Sequence, residues 1–318
     1  MKALIIDRVS PVIVSGLKEY GVNVETVILP SRRELKHLLP KYNLLIMRVD
    51  PKMDKEMLDA AAGSIKMIAV CSAGTNHIDM EYAQKLGICV QNAPGCNYNA
   101  VAELTISKML DLARMTVDAN EEVQKQGIWN KYKYTGHELR GHILGIIGYG
   151  MIGKRVGELA QAFGMTTLAY DPYLTREECL ARGTELLPDI DELLRRSDYI
   201  SIHSPLSPET KGMLSTHEFE KIKPGAIIIN CARGGIIDET AAVEALKSGK
   251  IGGLGLDVLS GELTGKGLSD NARLESPLFG MQNVLITPHI GGSAHEAYDA
   301  IGECIVEKVA EFYSLSKN

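Results

Sequence analysis

Short apolar runs alternate with amphipathic stretches through the first hundred residues of the chain. Strands are predicted at Ala3–Ile6, Val24–Ile28, Leu44–Met47, Met67–Val70 and Ile88–Val90. Helices are predicted between them at Pro11–Tyr20, Ser31–Leu38, Lys55–Ala62 and Met80–Leu86, and a glycine follows three of these helices as a C-terminal stop. Strands that alternate with helices form a parallel sheet that is covered on both faces. This part of the chain is therefore predicted to be a small, doubly wound α/β domain.

A second alternation follows a single long helix that is predicted over Asn99–Gln126, and residues 129–140 between them are polar and irregular. Six further strands are predicted at Ile143–Ile147, Thr167–Tyr170, Tyr199–His203, Ala226–Asn230, Gly253–Asp257 and Val284–Thr287. Six strands fit two mononucleotide-binding halves, the Rossmann arrangement. A last helix is predicted over Ser293–Leu315, and we expect it to return to the first domain.

The first strand of this second alternation runs into a G-x-G-x-x-G pattern, formed by Gly148, Gly150 and Gly153. In such a pattern the first glycine permits the strand-to-helix turn, and the second lets a pyrophosphate approach the backbone. The third glycine allows helix and strand to pack closely. The helix that follows offers free N–H groups and a positive dipole end to phosphates. The stretch therefore predicts a dinucleotide site; the alternative is a glycine-rich turn in another kind of α/β protein.

Asp171 ends the next strand, 18 residues after Gly153. An acid at this place accepts hydrogen bonds from the ribose hydroxyls, and its charge would repel a 2′-phosphate, so NAD is favoured over NADP. We therefore predict two doubly wound domains with a cleft between them. Residues 99–289 form the Rossmann NAD-binding domain, and residues 1–98 with 290–318 form a discontinuous, flavodoxin-like substrate-binding domain.

The composition agrees with two globular domains and excludes some classes of binding partner. The chain has 318 residues, of which 45% are hydrophobic and 23% charged, and its net charge is -6. This charge argues against nucleic acid or an anionic membrane as a partner. The N-terminus does not look like a signal peptide, so we expect a cytoplasmic protein. Neither the six cysteines nor the eight histidines show metal-ligand spacing, so no metal and no disulfide framework is expected.

Three polar residues follow the last three predicted strands, at the sheet edge where ligands bind. Arg233 can bind a carboxylate and polarise an adjacent 2-oxo group. Packing alone gives little reason for an arginine directly before two glycines. His289 can give a proton to the carbonyl oxygen as hydride arrives. Glu262, if bonded to His289, favours the imidazolium and fixes the ring. Taken alone, His289 could equally be a capping residue and Glu262 a solvated loop acid.

The sequence resembles the D-2-hydroxyacid dehydrogenase family over nearly its full length. The motifs that carry the resemblance stand in the family's order: 72–79, 92–94, 101–103, 148–153, 203–206, 230–238, 257–262 and 288–292. The resemblance implies that Arg233, Glu262 and His289 are the catalytic set. It also implies that backbone amides near Ala73 and Gly74 hold the substrate carboxylate, and that Asp257 binds the nicotinamide carboxamide.

The same resemblance implies a homodimer through the cofactor domains and a wider set of cofactor contacts. Beyond the three glycines and Asp171, these contacts are Tyr149, Met151, Ile152, His203, Pro205, Thr210, Cys231, Ala232, Gly291 and Gly292. Two places depart from the family pattern. Ala100 stands where a serine or threonine is common, so Asn99 is expected to cap the helix instead. The stretch Gly261–Gly267, where proline is common, looks looser.

Within the family, the 3-phosphoglycerate dehydrogenase branch is the most similar, without its C-terminal regulatory domain, so no serine feedback is expected. In that branch, basic residues placed like Arg48 and Lys131 contact the substrate phosphate. The leading substrate pair is therefore 3-phosphoglycerate and 3-phosphohydroxypyruvate, as in serine biosynthesis. Glyoxylate, hydroxypyruvate or another short 2-oxo acid remains an alternative. A more distant one is an NAD-sensing protein that resembles transcriptional co-repressors and binds peptides without turnover.

Overall fold

A computed structural model describes residues 1–264 and 273–317. Their contacts divide them into two compact units, residues 1–97 with 292–317 and the described residues between 98 and 291. The strands are β1 Lys2–Ile5, β2 Asn23–Thr26, β3 Leu44–Met47, β4 Met67–Val70, β5 Cys89–Asn92, β6 Ile143–Ile147, β7 Thr166–Tyr170, β8 Thr184–Leu186, β9 Tyr199–Ile202, β10 Ala226–Asn230, β11 Ile251–Leu256 and β12 Val284–Ile286. The helices are α1 Pro11–Glu19, α2 Arg32–Leu38, α3 Lys55–Ala61, α4 Met80–Lys85, α5 Tyr98–Arg114, α6 Thr116–Gln126, α7 Met151–Ala162, α8 Arg176–Leu180, α9 Ile190–Arg196, α10 Thr216–Lys221, α11 Glu239–Lys247 and α12 His295–Phe312.

The first unit is a parallel sheet in the order β2-β1-β3-β4-β5, which is the flavodoxin order. Strands β3 and β4 are buried throughout, as expected for a sheet covered on both faces. The last helix, α12, packs on this sheet, and its Ile301, Ile305 and Val309 join the apolar cluster under α1. The carboxyl-terminal helix therefore belongs to the unit built from the first residues of the chain.

The second unit is a parallel sheet in the order β12-β11-β10-β9-β6-β7-β8. Read from β8, the first six strands follow the Rossmann order 3-2-1-4-5-6, and β12 adds one more strand. Both predicted sheets are thus confirmed, but the prediction of six strands here is wrong. The missed strand, β8, has only three residues. Its Thr184 is buried, and the Thr184 hydroxyl is hydrogen-bonded to the hydroxyls of Thr167 (2.7 Å) and Tyr149 (2.8 Å). Those bonds come from tertiary packing and leave no periodic pattern in the sequence.

The prediction of one helix over Asn99–Gln126 is also wrong. Met115 takes a left-handed backbone (φ 53°) and separates α5 from α6. The reason lies further along the chain, where the carbonyl oxygen of Ala113 accepts a bond from His137 N (2.9 Å) instead of a helical one. Asn99 does not cap α5, because the helix begins at Tyr98; its side chain bonds to Glu103 (2.7 Å) and Arg155 (2.8 Å).

The looser stretch Gly261–Gly267 lies outside the described residues from 265 onward. Among the described helices, none has both the length and the apolar character that crossing a bilayer requires.

Candidate active site

The glycine turn between β6 and α7 is shaped by close backbone packing at two of its three glycines. Gly148 has φ 86°, and a Cβ there would lie 2.7 Å from Ser204 Oγ. A Cβ on Gly153 would collide with the carbonyl oxygen of Gly148. Gly150, the residue before α7, instead faces open space, with no atom within 4 Å of the position of a Cβ. The turn therefore leaves room for a ligand above Gly150, beside the free N–H groups of the first turn of α7.

Asp171 holds this turn from the end of β7. One carboxylate oxygen accepts a bond from Tyr149 N (2.9 Å), and the other accepts one from Tyr173 N (3.0 Å). Gly148 N also donates to Tyr170 O (2.9 Å). A carboxylate offers about four lone-pair sites, so Asp171 can still accept bonds from ribose hydroxyls.

His203 lies on the other side of the same turn, where the Cβ of a residue at 148 would approach its carbonyl carbon to 2.9 Å. Both ring nitrogens of His203 are buried and have no hydrogen-bond partner within the described residues. Burial lowers the pKa of His203 to about 3, so the ring is neutral near pH 7. A buried polar ring without a partner is costly unless a ligand satisfies it. Together with the open space over Gly150, this donor set fits a dinucleotide.

The other predicted cofactor contacts in this region differ in which of their atoms could still contact a cofactor. The side chain of Tyr149 is fully buried and belongs to the core, so its main chain is what remains for a ligand. Met151 is 58% exposed, and Ile152 is half-buried. The Thr210 hydroxyl donates to Pro205 O (2.6 Å) and accepts from Ser207 N (2.8 Å), so it closes the loop after β9.

Arg233 stands in a loop that Asn230 holds at the end of β10. The Asn230 side chain is 2% exposed; it accepts from Ala232 N (3.0 Å) and donates to the carbonyl oxygen of Arg233 (3.0 Å). This role of Asn230 was not predicted from the sequence, although an asparagine at a strand end is typical of such a side-chain turn. Next to it, burial raises the pKa of the Cys231 thiol to about 12, so Cys231 is no thiolate nucleophile.

Glu262 lies in a short helical turn, Ser260–Thr264, that follows β11. Its carboxylate contacts Nδ1 of His289. The Glu262 side chain is mostly buried, whereas the His289 side chain is about half exposed. The ring is therefore fixed at Nδ1, and Nε2 remains for a substrate.

His289 has a left-handed backbone (φ 53°), which is costly for a residue other than glycine. Asp257, only 1% exposed, holds this loop in place. Its carboxylate accepts from Thr287 Oγ1 (2.5 Å), Ile290 N (2.9 Å) and Gly291 N (2.7 Å), and its carbonyl oxygen accepts from His289 N (2.9 Å). The role of Asp257 toward a carboxamide stays a prediction, because the three side-chain bonds found here all go to the His289 loop.

The three candidate catalytic residues thus follow three adjacent parallel strands, β10, β11 and β12. Backbone bonds continue past the strand ends, since Asp257 N donates to Asn230 O (3.0 Å) and Thr287 N to Leu256 O (3.0 Å). The structure therefore brings a cation, an acid and an imidazole to one edge of one sheet. Such a set can bind a carboxylate and move a proton.

Four of the predicted site residues belong to the first unit. Ser72 Oγ donates to Gly74 O (2.9 Å), and the Asn92 amide to Ala73 O (2.5 Å), while the N–H groups of 73 and 74 have no acceptor within the described residues. The guanidinium of Arg48 lies 4.9 Å from the centre of the Tyr298 ring. Gly292 packs on Asn97, to which a Cβ would approach within 2.5 Å.

Lys131 belongs to the second unit, whereas Arg48 and the amides at 73 and 74 belong to the first. It lies in the exposed stretch after α6, with Nζ 5.1 Å from the centre of the Tyr132 ring. In the part of the chain that the structure describes, no group of three or more His, Cys, Asp or Glu residues is arranged to hold a metal ion.

Comparisons with known proteins agree with this geometry. The family profile described as the D-isomer specific 2-hydroxyacid dehydrogenase, NAD binding domain, matches residues 106–291. D-3-phosphoglycerate dehydrogenase of Archaeoglobus fulgidus is 38% identical over 309 residues, which cover 97% of this chain and 56% of that protein. This chain therefore spans about half the length of that relative.

Two solved structures are similar over nearly their whole length. A D-isomer specific 2-hydroxyacid dehydrogenase from a Polaromonas species has 28% identity and a TM-score of 0.88, covering 100% of this chain and 98% of its own. D-lactate dehydrogenase from Aquifex aeolicus, solved with NAD and lactic acid, has 31% identity and a TM-score of 0.81, covering 99% and 96%. Sequence and structure together place this chain in the family of D-isomer specific 2-hydroxyacid dehydrogenases, with the family's NAD-binding domain in its second unit.

Proposed function

We propose that this protein is an NAD-dependent dehydrogenase that interconverts a D-2-hydroxy acid and its 2-oxo acid. The observation that carries the proposal is the Glu262–His289 pair, which stands with Arg233 at one edge of a sheet of Rossmann order. NAD, when bound, carries the hydride that is exchanged with C2 of the acid.

Each of the three residues has a separate task in this reaction. Arg233 binds the carboxylate of the acid with its planar guanidinium and polarises the 2-oxo oxygen. His289 donates a proton from Nε2 to that oxygen in reduction and takes it back in oxidation. Glu262 holds Nδ1 and so keeps the ring in one orientation.

The part of the proposed NAD site that the geometry supports lies around the glycine turn. The N–H groups at the start of α7 would bind the pyrophosphate, and Asp171 would accept bonds from the ribose hydroxyls. His203 supplies a neutral ring whose nitrogens lack protein partners within the described residues. The remaining predicted contacts, at Pro205, Thr210, Cys231, Ala232, Asp257, Gly291 and Gly292, are proposed on the family resemblance.

An alanine at Gly150 is expected to weaken NADH binding strongly while it destabilises the fold only slightly, through the poorer N-cap of α7. The new Cβ would meet no protein atom within 4 Å, but it would occupy the space that the pyrophosphate needs. Crowding of this kind costs about 1–3 kcal/mol, which raises Kd for NADH by roughly 5- to 150-fold. Thermal unfolding and NADH titration measure the two effects separately.

Gly153→Ala is the matched comparison, because its Cβ would collide with Gly148 O and should lower Tm as well. An unchanged NADH affinity in Gly150→Ala would contradict the proposed place of the pyrophosphate.

For the substrate, we propose 3-phosphoglycerate and 3-phosphohydroxypyruvate. The similarity to D-3-phosphoglycerate dehydrogenase over 97% of the chain supports this choice. Arg48 supports it too, because Tyr298 stacks on its guanidinium and so orders a cation that a phosphate could use. Lys131 is proposed as a second cation. The alternative substrate is a short unphosphorylated 2-oxo acid, and the observation that supports it is the similarity to a D-lactate dehydrogenase.

A substrate panel tests this assignment. NADH oxidation would be followed with phosphohydroxypyruvate, hydroxypyruvate, glyoxylate, pyruvate and 2-oxoisocaproate, and each would be repeated with NADPH. We expect the highest kcat/KM with phosphohydroxypyruvate and NADH. A higher kcat/KM for any unphosphorylated acid would contradict the proposed substrate. NADH binding without turnover of any acid would contradict the proposed dehydrogenase activity.

We also propose a homodimer and a cytoplasmic location. Helix α6 has no buried residue, and after it Trp129 and Tyr132 are 86% and 80% exposed. Apolar side chains that are exposed in one stretch suit a contact with a second copy. Sedimentation equilibrium tests whether the protein is a dimer.

The six cysteines are all free thiols, which supports the proposed cytoplasmic location, a reducing compartment.

A further inference from the structure

Glu239, the first residue of α11, joins two stretches of chain that are distant in sequence. One carboxylate oxygen accepts a bond from Ser260 N (2.7 Å), and the other accepts one from Ser276 Oγ (2.6 Å). The neighbouring Asp238 already caps α11, because it accepts bonds from the amides of residues 240 and 241. Glu239 is therefore free of the capping task, and both of its oxygens serve these long-range bonds.

The first of these bonds fixes the turn that carries Glu262. Ser260 is the first residue of that turn, and Glu262 N bonds back to Leu259 O (3.2 Å). Leu259 is buried, and its carbonyl group touches Gly234 so closely that any Cβ at 234 would collide with it. The turn is thus held at its start by Gly234 and Glu239. Gly234 follows Arg233 in the loop after β10, and Glu239 begins the helix α11 to which that loop leads.

The second bond attaches Glu239 to a fixed point. The hydroxyl oxygen of Ser276 accepts from Leu278 N (3.3 Å) while its hydrogen is donated to Glu239. Leu278 is fully buried in the core of the second unit. Ser276 therefore fixes the carboxylate of Glu239, which in turn fixes the amide of Ser260.

We propose that Glu239 is a positioning residue for the reaction, acting through Glu262. It touches neither the imidazole nor, on the proposed function on which this inference rests, the substrate. Its charge-assisted bond to Ser260 sets where the Glu262 turn begins, and so where the Glu262 carboxylate meets His289. Displacing a catalytic group by about 1 Å costs up to roughly 10²-fold in rate.

Replacement of Glu239 tests the proposal. Glu239→Ala is expected to lower kcat by about 10- to 100-fold with little change in KM, because the Glu262–His289 pair acts in the transition state. Glu239→Gln should recover much of the rate, since an amide oxygen can accept from Ser260 and an amide NH₂ can donate to Ser276. Glu244→Ala is the matched control, as Glu244 is exposed on the same helix and pairs only with Lys247 among the described residues.

A double-variant comparison separates positioning from a general structural effect. In a Glu262→Gln background, Glu239→Ala should cause little further loss of kcat, because the residue it positions is already gone. A full additional loss in that background would overturn the proposal. So would a Glu239→Ala enzyme with the wild-type kcat.

Amide hydrogen exchange gives a readout that does not depend on turnover. The Ser260 amide loses its acceptor in Glu239→Ala, so exchange at residues 259–262 should accelerate there and stay unchanged in Glu244→Ala. Unaltered exchange in Glu239→Ala would overturn the inference whatever the enzyme turns over. Absence of wild-type turnover on every 2-oxo acid would instead contradict the proposed function, while the exchange result would still decide whether Glu239 holds the turn.

Discussion

Replacing His289 with glutamine is expected to lower kcat by about 10²–10⁴-fold while NADH binding is retained. Glutamine keeps the approximate length of the side chain and can still meet Glu262, but it cannot donate and recover a proton. The NADH contacts at the glycine turn between β6 and α7 are untouched by this change, and the proposed contacts near His289, at 257, 291 and 292, keep their own residues. Steady-state rates and NADH titration on the same preparation measure the two effects.

His217→Gln provides the control for this experiment. His217 is exposed on α10, so the same chemical change there should leave kcat at the wild-type value. If His289→Gln turns over like the wild type, the proton donor is another group, and the interpretation of the Glu262–His289 contact fails.

The sheet order and the glycine turn could be predicted because both rest on local patterns. Four strands, β3, β4, β6 and β10, have the predicted bounds, and each is an apolar run, which in β10 ends at the polar Asn230. The break at Met115 could not be predicted in this way. It depends on His137 reaching the carbonyl oxygen of Ala113, 24 positions earlier, and local propensity carries no information about such a bond.

The candidate site shows the same division between local and distant causes. Arg233, Glu262 and His289 could be proposed because each follows a strand of a parallel sheet. The bonds that hold these loops could not be predicted, although Asp257 itself was expected as a contact to the nicotinamide. Asp257 and Glu239 act on loops that are close only in the fold, at residues 287–291 for Asp257 and at 260 and 276 for Glu239.

Replacing Arg233 with alanine is expected to produce the other large loss. Leaving a charged substrate group without its partner costs about 2–5 kcal/mol, which lowers kcat/KM by roughly 30- to 4,000-fold. Both KM and kcat should change, because the guanidinium binds the carboxylate and also polarises the reacting oxygen. The loop should keep its shape, since Asn230 bonds to the main chain of 232 and 233. Tm should therefore stay close to the wild-type value.

Two further variants decide whether the fork of the guanidinium matters beyond its charge. Arg233→Lys keeps a positive charge but cannot make two parallel bonds to a carboxylate, so it should recover only part of the loss. Added guanidinium ion should raise the rate of Arg233→Ala and leave Arg195→Ala, a change at an exposed position on α9, unaffected. Wild-type kcat/KM in Arg233→Lys would show that charge alone suffices, and the carboxylate would then be bound elsewhere. The amides at 73 and 74 would be the next groups to test.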